Sequence, residues 1–105
     1  MTMRRRLKNR RASETFPLEC AGLRYTATVA RFEDGRLGEI FLDSHKSGSA
    51  ADAAARDSAI VCSIALQFGA DLETIRRALC RDASDKACAP LGAALDLLAN
   101  DRGAP

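Results

Sequence analysis

The densest set of side chains able to do chemistry is His45-Lys46-Ser47-Gly48-Ser49, a short polar run directly before a long apolar segment. The first N–H groups of a helix lack intrahelical partners, and the positive end of its dipole lies there, so such a start can seat a phosphate or carboxylate. Lys46 adds a cation, Ser47 and Ser49 add hydroxyls, and Gly48 leaves a place where an anion could approach. Lys46, Ser47, Gly48 and Ser49 are therefore the candidate anion or nucleotide site, with His45, Asp52 and Arg56 in support. The run is not a Walker A loop, because its lysine precedes the glycine and the G-x-x-x-x-G-K-[ST] pattern is absent. A capped turn carrying a solvated lysine accounts for the same residues.

Other reactive groups are sparse. His45 and Asp43 could form an acid/base pair near a strand end, but no nucleophile is placed beside a base by spacing, since Ser47 and Ser49 serve as turn and cap residues. No catalytic residue is assigned. The four cysteines, Cys20, Cys62, Cys80 and Cys88, show no C-x-x-C spacing, and the lone His45 forms no ligand pattern with them, so no metal or cofactor is expected. Cys62 sits in apolar sequence as a small hydrophobe, and Cys20 ends a strand. Cys80 and Cys88 flank a loop and could approach each other, with reduced thiols the default in a cytoplasm.

Charge is unevenly spread. Arg4, Arg5, Arg6, Lys8, Arg10 and Arg11 carry +6 with no acid before Glu14; against a total of +2, the remainder is at −4. Residues 1–12 read as a basic, flexible or loosely docked arm on a mildly acidic body. Such arms meet nucleic acid or other polyanions, or are simply solvated. No aromatic interleaves the arginines, so base stacking is not indicated.

The elements that must position these groups follow from periodicity. The length of 105 residues fits one domain. Aromatics at 5% and no Trp require an aliphatic, Ala-rich core. No charge-free apolar run reaches the ~18–20 residues of a membrane span, and the basic N-terminus leads into no apolar signal region; a cytoplasmic location is expected. Thr15 to Cys20 alternates and holds Pro17, which confines it to a sheet edge. Leu23 to Phe32 is the clearest strand, and Glu33-Asp34-Gly35-Arg36 is a hairpin turn. Leu37 to Asp43 returns, with apolar residues on both faces. Ser49 caps a helix running to Phe68, and Gly69 suits the position just past its end. Asp52, Arg56, Ser63 and Gln67 lie on one narrow stripe of that helix. The rest is so apolar that cover on more than one side is expected, by sheet, other helices or a second chain. Asp71 caps a second helix, Leu72 to about Arg81. A loop spans Asp82 to Ala89, and Pro90 opens a third helix that Gly92 weakens by up to about 1 kcal/mol. The order β-β-β-α-α-α predicts an α+β domain over residues 13–100, an antiparallel meander with helices on one face, then a frayed tail at 101–105.

The segment from Asn9 to Ala99 resembles the TSCPD domain. The likeness rests on the strand–turn–strand from Tyr25 to Phe41, on Lys46-Ser47-Gly48-Ser49, and on Leu72-Glu73-Thr74-Ile75. The signature that names the family is missing; Ala89-Pro90-Leu91-Gly92 stands at about its place, which removes a cysteine. The family occurs at the C-terminal end of adenosylcobalamin-dependent ribonucleotide reductases and as short stand-alone proteins of bacteria and prophages. The resemblance implies an accessory module that docks on a reductase or binds a nucleotide, because the chain is too short for a radical-bearing barrel.

Three function classes are thus in view. The first is a non-catalytic accessory or regulatory module of deoxyribonucleotide synthesis, working by protein contact with or without nucleotide binding. The second is a small nucleic-acid-binding protein using residues 1–11, and the third a small enzyme using His45, Lys46 and a thiol. A homodimer covering the second face of the main helix belongs to a further, unassigned interaction role.

Overall fold

A computed structural model describes residues 3–103, with side chains through residue 100. Three strands come first: β1 (Ser13–Cys20), β2 (Leu23–Arg31) and β3 (Leu37–Ser44). They form one antiparallel sheet in the order β1-β2-β3. The β2–β3 turn uses Gly35 at φ 90°, a conformation that costs glycine little. A register shift at Ala30/Arg31 precedes the turn. Alternation gives the sheet its two faces. Leu18, Cys20, Tyr25, Ala27, Val29, Ile40 and Leu42 form the core side. Thr15, Thr28 and Phe41 are aligned across the other face. The two threonine hydroxyls lie 3.2 Å apart there, and Phe41 is exposed. Pro17 sits on the outer strand β1, as its missing N–H requires. Cover on both faces of β3 holds for Leu37 to Ile40 and ends at Phe41.

Helices α1 (Ala50–Gln67), α2 (Leu72–Ala78) and α3 (Pro90–Gly103) follow. The fold is the expected α+β arrangement. At the start of α1, the Asp52 N–H donates to Ser49 Oγ at 3.1 Å. At its end, Gly69 adopts φ 99°, its N–H donates to Leu66 O, and the Ala70 N–H donates to Ala65 O, a Schellman closure. Ala55, Ala59, Cys62 and Leu66 of α1 and Leu91, Ala94, Leu95 and Leu98 of α3 fill the core.

The expected cover around α1 is not what the structure shows. Its polar stripe points inward: Asp52, Ser63 and Gln67 are buried, at 5%, 5% and 7% exposure. Ile60, Val61, Ile64 and Phe68 face outward, Val61 at 67% exposure. The reason lies in β3, which has a neighbour on one side only and so presents unpaired backbone groups on the other. The Ile40 N–H donates to Ser63 Oγ at 2.8 Å, and Ser63 Oγ donates to Ile40 O at 2.8 Å. Gln67 Nε2 donates to Gly38 O at 3.0 Å, and the Ser44 N–H donates to Asp52 Oδ1 at 2.8 Å. Four residues of helix rise about 6 Å and two of strand about 6.8 Å, so an antiparallel helix and strand stay nearly in step. The stripe thus closes the sheet edge.

The second helix is shorter than its pattern suggests. It stops at Ala78, and Leu79 turns extended at ψ 153°. The expected loop is instead a tight hairpin: Arg81 bridges Ala87, the Asp82 N–H donates to Lys86 O, and the Cys88 N–H donates to Cys80 O. Arg81 leaves the helix to grip Asp96 of α3 with both terminal guanidinium nitrogens, at 2.7 and 2.9 Å. Arg76 Nε reaches the same carboxylate at 3.0 Å. The third helix runs to Gly103, into the tail expected to fray at 101–105; 104 and 105 lie outside the described residues. Gly92 earns its place by close approach, since a Cβ there would stand 3.1 Å from the Ala87 Cβ.

Candidate functional site

The start of α1 is exposed at Lys46, Ser47 and Gly48. Gly48 takes φ 78°, with open space where a side chain would go, so the turn conformation is what calls for glycine. Ser49 Oγ accepts from Asp52 N–H and donates to Lys46 O at 2.8 Å. The Lys46 N–H donates to Ser44 Oγ at 3.0 Å. Asp52 spans the loop, with Oδ1 on the Ser44 amide and Oδ2 accepting from the Gly48 N–H at 3.3 Å. These bonds, the Ser44 amide first, hold the Asp52 carboxyl below its ordinary pKa against the opposing effect of burial. The anion that sits on the loop amides is thus the protein's own carboxylate.

The supporting residues divide. Asp52 orders the loop, as described. Arg56 is 58% exposed and bridges Asp43 at 3.2 Å and Asp52 at 3.9 Å. His45 and Asp43 do not meet: His45 Nε2 lies 2.9 Å from Thr26 Oγ1, while Asp43 takes Arg56.

Arg4, Arg5, Lys8 and Arg11 of the arm reach the body. Arg11 forms a fork with Glu39, Nε to Oε2 at 2.8 Å and NH2 to Oε1 at 2.7 Å, which supplies the partner a buried carboxylate needs. Lys8 pairs with Glu33, and Arg5 pairs with Asp34 at 3.4 Å. The Arg5 guanidinium also stacks 4.2 Å above the Phe32 ring. Arg4 Nε donates to Gln67 Oε1 at 2.7 Å, and the Arg5 N–H donates to Gln67 O. Among the described residues, Arg6 and Arg10 form no ion pair. Four of the six arm cations are thus engaged by the body.

The second face of α1, whose residues sequence reasoning did not name, is its outer strip: Ile60, Val61, Ile64 and, just past its end, Phe68. Their spacing puts them on one helix face. The signal was present, since α1 holds more apolar residues than one buried face accepts, but a buried polar stripe turns that excess toward water.

No protein-family model matches the chain, and no solved structure matches it. Curated proteins do. The vitamin B12-dependent ribonucleotide reductase of Agrobacterium fabrum is 41% identical over 70 residues, which is 67% of this chain and 6% of that protein. The vitamin B12-dependent ribonucleotide reductase of Bradyrhizobium diazoefficiens is 36% identical over 73 residues, 70% of this chain and again 6% of the relative. The molecule is a small α+β domain. It is related in sequence to a short stretch of the vitamin B12-dependent ribonucleotide reductases, and it spans about one-sixteenth of their length.

Proposed function

We propose that the chain is a TSCPD-like, non-catalytic accessory or regulatory module of deoxyribonucleotide synthesis that acts by protein contact, with a vitamin B12-dependent ribonucleotide reductase as the partner. The observation that carries this reading is the strip of Ile60, Val61, Ile64 and Phe68. It is apolar, runs along α1 to its C-cap, and is 37–67% exposed. Exposed apolar clusters of this kind mark interaction sites. The relatives join a similar segment to a reductase, which makes a reductase surface the natural neighbour to test.

Nucleotide or anion binding at Lys46, Ser47, Gly48 and Ser49 is favoured less, because an incoming anion would have to displace or repel Asp52. The nucleic-acid reading is favoured less as well, because Glu33, Asp34, Glu39 and Gln67 hold four of the arm cations.

The test is calorimetric titration of the chain into a vitamin B12-dependent reductase. The wild type binds, and Val61→Asp and Ile64→Asp each weaken binding at least about tenfold, the equivalent of ~1.4 kcal/mol, while keeping their helical signal. Absent binding, or equal binding by the variants, overturns the reading. A nucleotide panel followed by amide shifts at residues 46–52 tests the anion seat separately.

A further inference from the structure

Cys80 and Cys88 play no part in the reading above, and their geometry is specific. Arg81 bridges Ala87 in antiparallel fashion, and one step outward the Cys88 N–H donates to Cys80 O at 3.0 Å. Cys80 and Cys88 therefore lie directly across the hairpin from each other. Opposed antiparallel residues have Cα atoms about 4.5–5.5 Å apart, inside the ~4.4–6.8 Å range a disulfide spans. Side chains of an opposed pair share one face of a hairpin. Both cysteines are exposed and both thiols are free.

The other two thiols are poorly placed to react. Cys20 and Cys62 are buried, and burial pushes the Cys62 thiol up to about 11. Among the described residues, no three His, Cys, Asp or Glu side chains are grouped to hold a metal ion. Cys80 and Cys88 also line an apolar groove of about 470 Å³, together with Tyr25, Ala55, Leu79 and Leu91. The groove gives an apolar segment carrying a disulfide somewhere to lie beside the sulfurs.

We propose that Cys80 and Cys88 form a reversible dithiol–disulfide site whose substrate is a disulfide presented at this groove. Cys80, having released its proton to water, attacks one sulfur of the incoming disulfide. A bond forms from Cys80 to that sulfur, and the other sulfur leaves as a thiolate and takes up a proton. Cys88 loses its proton and attacks Cys80 Sγ, forming the intrachain disulfide and releasing the second substrate sulfur as a thiol. Two electrons and two protons pass from the chain to the substrate. The neighbouring Cys80 thiol holds the Cys88 thiol above its ordinary range, which favours Cys80 as the attacking sulfur. The hairpin needs no rearrangement, since its strands already hold the pair in register.

The experiment exposes the full-length chain to oxidised glutathione, quenches with acid, alkylates under denaturing conditions and maps the cysteines by mass spectrometry. In most molecules Cys80 and Cys88 are expected to be linked to each other and lost to alkylation, while Cys20 and Cys62 remain alkylated. Cys88→Ser, at an exposed position, is expected to accumulate glutathione on Cys80 instead. The proposal is overturned if Cys80 and Cys88 are both recovered alkylated. It is equally overturned if the wild type ends with a separate glutathione on each, or if Cys20 or Cys62 is consumed first. Reductase binding is measured independently, so failure of either proposal is read separately.

Discussion

Ser63 Oγ accepts from the Ile40 N–H and donates to the Ile40 carbonyl, both at 2.8 Å. One hydroxyl thereby satisfies both free backbone groups of an edge-strand residue. Gln67 and Asp52 serve Gly38 and Ser44 on either side of it. Because these polar residues turn inward, the apolar residues of α1 that do not fit against the sheet turn outward. The closed sheet edge and the exposed strip are two consequences of one helix rotation.

Ser63→Ala is expected to destabilise the fold by about 1–3 kcal/mol, the cost of stranding buried backbone groups. Ser63→Thr keeps the hydroxyl and is expected to cost less than Ser63→Ala. Urea denaturation of both variants checks this. Equal stability of Ser63→Ala and the wild type would mean that water satisfies Ile40.

Asp96 is gripped by Arg81 and Arg76, and this grip, led by the hydrogen bonds from Arg81, holds its carboxyl below the ordinary value against the effect of burial. The sign follows: the stabilisation is fully present above the unfolded pKa of about 3.9 and is lost as pH falls through the depressed folded value. Asp96→Asn is expected to cost about 1–2 kcal/mol at pH 7, between exposed and buried pairs. The gap to wild type should narrow in strong acid. Denaturation of both proteins across pH reads this difference, and a gap that is constant with pH would assign the cost to shape.

Gly92→Ala would gain up to about 1 kcal/mol from helix propensity alone. The Ala87 Cβ at 3.1 Å leaves too little room, so the hairpin would have to shift. The melting temperature is expected to fall, and a rise would show that the hairpin yields freely.

Much of this fold is legible in the sequence. The Asp-Gly turn, the alternation of Leu23 to Val29, the Ser49 cap and Gly69 are local signals, and local chemistry decides them. The Leu72 helix is misread at its C-terminal end, because Arg76, Arg77 and Leu79 continue a helical pattern. What ends the helix is distant: Arg81 must reach Asp96, and Cys80 must pair across the hairpin. The orientation of α1 is hidden for the same reason. Periodicity puts Ser63 and Gln67 on one side without saying which, and their partners, Ile40 and Gly38, lie more than twenty residues away in the chain. At the candidate site the sequence shows the cap and the glycine, whereas the insertion of the Asp52 carboxylate between Ser44 and Gly48 is a tertiary fact.

The inward turn of the polar stripe is tested most directly by amide hydrogen exchange at Ile40. Capped by Ser63, the Ile40 N–H is expected to exchange as slowly as amides of the central strand β2, and to speed up in Ser63→Ala more than they do. Fast exchange at Ile40 in the wild type, at the rate of an open sheet edge, would contradict the account and with it the reason given for the exposed strip on α1.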